Sequence, residues 1–155
     1  MAKSLKEYAL AAEIVGAIAV VISLVYVGAS VNQNTRAVMV SNHQALVAMD
    51  QNTNEWFRDT EFAEISIIAL DDAGALSPTQ ALQLRILLAD KFNAWEFAFL
   101  THSSGMMEDN IWNGWDGYYR GELAQIPHQS FWQAGREGFS PAFRDYVDSI
   151  IADID

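Results

Sequence analysis

The chain has 155 residues, no cysteine, and 20 acidic residues against 9 basic ones, a formal charge of −11. These figures exclude a disulfide framework and a thiolate metal site. With no basic patch, they also exclude nucleic acid as a partner. From Ala37 onward, Arg58, Arg85, Lys91, Arg120, Arg136 and Arg144 stand against eighteen acidic residues, a balance of 6 − 18 = −12. That charge aids solubility and disfavours docking of this part on an anionic lipid surface.

The first element is the uncharged run from Ile14 to Val31, IVGAIAVVISLVYVGASV. As a helix it is about 27 Å long, close to the roughly 30 Å hydrocarbon core of a bilayer. The expected architecture is a membrane anchor with its flank over residues 1–36 and an acidic helical domain over 37–155. Two alternatives are weighed. A buried core helix usually carries a polar stripe, whereas only Ser23, Ser30 and the Tyr26 hydroxyl interrupt this run. A cleaved signal peptide would use Lys3 and Lys6 as its charged region and Val27-Gly28-Ala29 as its cleavage site. Against cleavage, Glu13 sits where the apolar region should begin, and the helical pattern continues past Ala29. Lys3, Lys6 and the amino terminus before the span, against Arg36 after it, lean towards a cytoplasmic N-terminus and a periplasmic domain. Ala12, Gly16, Ala19 and Ser23 are small enough to let another helix approach in the bilayer.

The remainder reads as helical, with three prolines and no alternating strand pattern. The first helix is expected to continue through the polar cluster Asn32–Arg36 as far as Phe57. Asp59 or Thr60 would then cap a short helix through Leu70, and Asp71 to Gly74 reads as a loop. Ser77-Pro78-Thr79-Gln80 is a capping-box start with proline at the first helical position. It opens a helix from Pro78 to about His102, with Leu84, Leu88, Trp95 and Phe99 along one side. Leu82, Ile86, Phe92, Phe97 and Leu100 widen the apolar surface, which makes this helix the expected centre of the domain. Gly105 suits a left-handed helix end.

The next helix is expected from Asp109 to Leu123, with Trp112, Trp115, Tyr119 and Leu123 on one side. Gly114, Gly117 and Gly121 line another. Each glycine costs roughly 1 kcal/mol against alanine inside a helix, which suggests close backbone approach or a helix formed only when packed. Pro127 breaks the chain, and a short segment with Phe131 and Trp132 follows. Ser140-Pro141 repeats the proline start for a last helix through Ile151, with Phe143, Tyr146, Val147 and Ile150 facing in. The fold class is therefore all-α, an N-terminal membrane helix continuing into a bundle of four to five further helices.

Gln33-Asn34-Thr35-Arg36-Ala37, Trp95-Glu96, the segment Gly105 to Trp112 with Trp115, and Phe139 to Asp148 (FSPAFRDYVD) together resemble a family of small bacterial membrane-anchored proteins of no established activity. The resemblance spans nearly the whole chain. It implies a bacterial inner-membrane, single-pass protein with a helical C-terminal domain, and no reaction. Such proteins often carry more basic residues just after the anchor, which would hold the domain in the cytoplasm. Here only Arg36 stands there, so that inference does not transfer.

Catalytic constellations are absent. His43, His102 and His128 have no partner at metal-ligand spacing, and no nucleophile elbow or phosphate loop occurs. No catalytic residue, metal or cofactor is expected. Glu96, between Trp95 and Phe97, is the best single candidate for function, because a buried carboxylate needs a partner or its pKa rises. Arg136, beside Trp132, is the expected partner. One reading is an internal tie between helices within a core built from the tryptophans. The other is a polar floor to an aromatic pocket formed with Trp112, Trp115 and Trp132. Two function classes follow. The first is a non-enzymatic accessory subunit, held by lipid around its anchor (Ile14, Gly16, Ala19, Ser23, Tyr26, Val31) and by another membrane protein. The second is a small-ligand sensor centred on Glu96. An enzyme would need ionisable residues clustered in a cleft, and the sequence shows no sign of one.

Overall fold

The computed structural model describes residues 4–154; Lys3, used above for orientation, lies outside them. Six α-helices follow in order: α1 (Leu5–Trp56), α2 (Thr60–Asp72), α3 (Pro78–Ser103), α4 (Asp109–Leu123), α5 (Ile126–Gly135) and α6 (Pro141–Ile154). Short 3-10 turns occupy Ala73–Ala75 and Arg136–Gly138, and no strand occurs among the described residues. The fold is all-α, a long apolar N-terminal helix leading into a helical bundle. Two compact units divide it, residues 1–40 and 41–155.

In the first unit α1 is apolar on every side. Its most apolar window has a mean hydropathy of 2.5 and none of it is buried. It is one helix long and apolar enough to cross a membrane. The alternative of a buried core helix does not hold, because Val21, Leu24, Val25 and Tyr26 all stand exposed. Ser23, within the apolar run, donates to the Ala19 carbonyl, and Thr35, just past it, to that of Val31. A side chain bonded to its own helix presents little unsatisfied polarity to an apolar medium.

The second unit is built around α3, which packs against α2, α4, α5 and α6. Its start is the expected capping box, with Ser77 accepting from the Gln80 backbone and Gln80 from that of Ser77. Its end is the expected glycine: Gly105 has φ +73°, and the next amide, of Met106, bonds back to Thr101. Asp59 caps α2, which runs two residues past its expected end. Asp72 then caps the 3-10 turn in the segment read as a loop. The short segment after Pro127 is a full helix, α5, with the proline in its first turn.

The core is aromatic. Phe92 of α3 stacks on Trp132 of α5 at 5.2 Å, Trp95 on Tyr119 of α4 at 5.6 Å, and Phe143 of α6 meets Trp95 edge-on at 5.5 Å. Such pairs are worth about 0.5–1.5 kcal/mol each beyond the apolar area they bury. Leu46, from the last turns of α1, joins this core. The exposed side of α3 holds Leu82, Ile86 and Leu100, which were expected to widen its buried surface. Lys91 and Thr101 lie on the buried side instead.

The glycine row of α4 is also resolved. A Cβ at Gly114, Gly117 or Gly121 would meet nothing within 4 Å, so no close backbone approach requires these glycines. Gly105 differs, because only its positive φ is demanding. Gly105→Ala is expected to destabilise the chain by about 1–2 kcal/mol, whereas Gly117→Ala should be neutral or stabilise by up to about 1 kcal/mol. Denaturant unfolding of the detergent-solubilised chain checks both, and equal effects would contradict this reading.

Candidate functional site

The structure distributes the expected site residues through the packing of the bundle. Trp95 and Trp132 are each 1 % exposed, and each indole N–H donates to a carboxylate: Trp95 to Asp116 at 3.2 Å, Trp132 to Asp148 at 2.8 Å. Buried tryptophans usually secure such a partner. Trp112 is buried and lies flat on the His102 ring at 5.0 Å. Trp115 is half-buried, 6.1 Å from Tyr119 and edge-on to His43.

The expected Glu96–Arg136 pair is replaced by two separate ties. Glu96 is half-buried and accepts from the backbone N–H of Ser140 at 2.6 Å, just ahead of α6. A carboxylate suits that place, because the first amides of a helix lack intrahelical partners and carry partial positive charge. Arg136 instead reaches Asp148 at 2.6 Å, the same carboxylate that receives Trp132. Asp116 is a second such junction. It accepts from Trp95, from Arg120 Nε at 2.7 Å and from the Tyr146 hydroxyl. Burial, with Asp116 adding to it, pushes the Tyr146 phenol up to about 12. These groups satisfy one another.

A different cluster leaves groups unsatisfied. A partly open cavity of about 320 Å³ lies between the last turn of α1 and helices α2, α3, α4 and α5. Ala69, Leu70, Leu84, Leu87, Leu88 and Pro127 make its apolar wall, and Lys91, Tyr118, Glu122 and His128, with Asn54, Ser66 and Gln125, supply its polar groups. Lys91 is 8 % exposed. Its ammonium is bonded to Glu122, stands 3.5 Å from the Tyr118 hydroxyl, and lies 5.5 Å from the centre of the Phe57 ring. Glu122, on the last turn of α4, reaches Lys91 across the α3–α4 interface.

The turn at Gln125 and Pro127 then brings in His128, also 8 % exposed. Its Nε2 stands 3.4 Å from the Glu122 carboxylate. That contact falls short of hydrogen-bond geometry, so among the described residues both ring nitrogens lack a bonded partner. The buried Ser66 hydroxyl lacks one too. His128 and then Lys91 draw the Glu122 carboxyl down to about 2, against the burial that raises it. Chemically the cluster offers one balanced ion pair beside the neutral polar groups of Asn54, Tyr118 and Gln125, with the unpartnered nitrogens of His128 and the Ser66 hydroxyl buried beneath the wall. Among the described residues no group of three His, Asp or Glu side chains is placed to hold a metal ion.

Sequence reasoning passed over this cluster, although one signal was available. Lys91 is the only lysine after Ala37, and it falls four residues after Leu87 and four before Trp95, on the buried stripe of α3. The cluster also supplies what the sequence lacked, ionisable residues gathered in a cleft. No family model, curated protein or solved structure matches the chain.

The depressed Glu122 carboxyl gives a pH dependence of defined sign. An ordinary glutamate titrates near 4.5 and Glu122 near 2. Its contribution is therefore fully present above about pH 4.5 and lost as the pH falls towards 2. The stability difference between the native chain and Glu122→Gln should be largest at neutral pH and should shrink steadily below about pH 4.5. Unfolding both proteins across that range tests it; a pH-independent difference would contradict the ion cluster.

Proposed function

We propose that this chain is a membrane-tethered, non-enzymatic binding protein whose helical domain takes a small ligand in the cavity at Lys91, Glu122 and His128. One observation carries the reading. A lysine more than nine-tenths buried, paired with Glu122, lines a cavity of about 320 Å³ whose wall joins apolar side chains to the neutral polar groups of Asn54, Tyr118 and Gln125. A bound molecule that covers the apolar part and bonds to the neutral groups gains on both counts. The cavity lies at the lower end of the range used for small molecules, roughly 300–1,000 Å³. The ligand site therefore moves from Glu96 to the opposite part of the α3 buried stripe.

α1 serves as the tether. Its unburied apolar span supports a single crossing, and the resemblance noted from the sequence supports a bacterial inner membrane. Lys3 and Lys6 before the span, against Arg36 after it, support a periplasmic domain.

A second reading, a single-pass subunit of a larger membrane assembly, is favoured by Gly16, whose open side meets nothing within 4 Å. Together with Ala12, Ala19 and Ser23 it offers a face for another membrane helix.

Native mass spectrometry of the chain, released gently from its own membrane, separates the two readings. The ligand reading expects one small-molecule adduct on the wild-type chain, lost in Ala69→Phe and in Leu84→Phe, which fill the cavity. Another protein chain without an adduct would favour the second reading, and a bare chain would contradict both.

A further inference from the structure

We infer that the ligand of this cavity is an uncharged amphiphile, a hydrocarbon body ending in one hydroxyl or carbonyl group. The inference rests on the ligand-binding reading above and adds the chemistry of the ligand.

Charge balance supplies the first argument. The ionic groups facing the cavity are Lys91 of α3, Glu122 of α4 and His128 of α5, with the Tyr118 hydroxyl beside them. Asp50 of α1 is the next charge, close enough to act on Lys91 and Glu122 electrostatically. Lys91 is already matched by Glu122, and the carboxylates together outnumber the ammonium. A ligand carboxylate would compete with Glu122 for Lys91 and add a further negative charge to a site largely removed from water. A ligand ammonium would face Lys91. Either leaves a buried charge uncompensated, which is far costlier than burying a dipole. A neutral headgroup disturbs no existing pair.

The neutral polar groups of the wall supply the second argument. Asn54, Tyr118 and Gln125 line the cavity, and amides and a phenol hydroxyl each both donate and accept. A hydroxyl engages both kinds of site, and a carbonyl engages the donors.

The wall supplies the third. Apart from its polar groups it is made of leucine, alanine, proline and phenylalanine side chains. Each methylene placed against them contributes about 0.8 kcal/mol, so the body of the ligand is hydrocarbon.

The test uses three photoreactive probes of equal decyl length, each with a diazirine near the tail. They end in a hydroxyl, a carboxylate or a trimethylammonium group. The full-length chain is held in lipid nanodiscs near neutral pH, the probes are compared at matched membrane loading, and labelled peptides are identified by mass spectrometry. The hydroxyl probe is expected to label the wall at Leu84, Leu87 or Leu88 about tenfold more than either charged probe, a difference of about 1.4 kcal/mol in binding. Labelling should vanish in Ala69→Phe. Equal or stronger labelling of the wall by a charged probe overturns the inference and leaves the ligand-binding reading standing. Absence of wall labelling by all three also overturns it. In that case, retention of a native small-molecule adduct preserves the binding reading, and its absence removes both.

Discussion

A lysine in the middle of an apolar stripe constrains everything around it. α3 is the helix on which the bundle packs, and between Leu88 and Phe92 it presents Lys91 to the interior. An ammonium there must be met by an anion and by aromatic faces. That fixes the register of α4, because Glu122 has to arrive opposite Lys91 while Tyr119 stacks on Trp95 one turn earlier. The same carboxylate then attracts His128, which the proline turn after α4 carries inward at the start of α5. One ion pair thus ties three helices together.

The acidic composition takes on a structural meaning in the same frame. Several carboxylates answer buried donors: Asp116 receives Trp95, Asp148 receives Trp132, and Glu96 receives the amide ahead of α6. The indoles of Trp95 and Trp132 need acceptors near the centre of the aromatic core, and this chain supplies them as carboxylates shared with Arg120 and Arg136 at the surface. Asp116 and Asp148 each take more than one donor, whereas at the cavity Lys91 and Glu122 meet beside a space that no side chain fills.

Local signals carried much of this into the sequence. The capping box at Ser77, the left-handed Gly105, the proline starts and the uncharged run from Ile14 to Val31 each depend on a few neighbouring residues, and each forms as the pattern implies. What escaped was long-range. Glu96 and Arg136 were matched by type, yet Arg136 is taken by Asp148 and Glu96 by a backbone amide. Complementary charge names many pairs, and only tertiary geometry selects among them. Leu82, Ile86 and Leu100 were read as buried because they are apolar, although a helix with apolar residues all round still turns one side outward. The cavity is assembled from five helices, so no contiguous stretch announces it.

The Lys91–Glu122 pair joins α3 to α4 and shapes the polar side of the cavity, and two apolar residues of similar volume would join the same helices while removing that polar side. Buried ion pairs replaced together by apolar residues of similar volume often leave stability unchanged or raise it by about 1–4 kcal/mol. The decisive measurement is the stability and the small-molecule content of the double variant Lys91→Met/Glu122→Leu. The account predicts stability equal to or above that of the native chain, with the bound molecule gone. A loss of several kcal/mol, or a ligand retained in full, would contradict it.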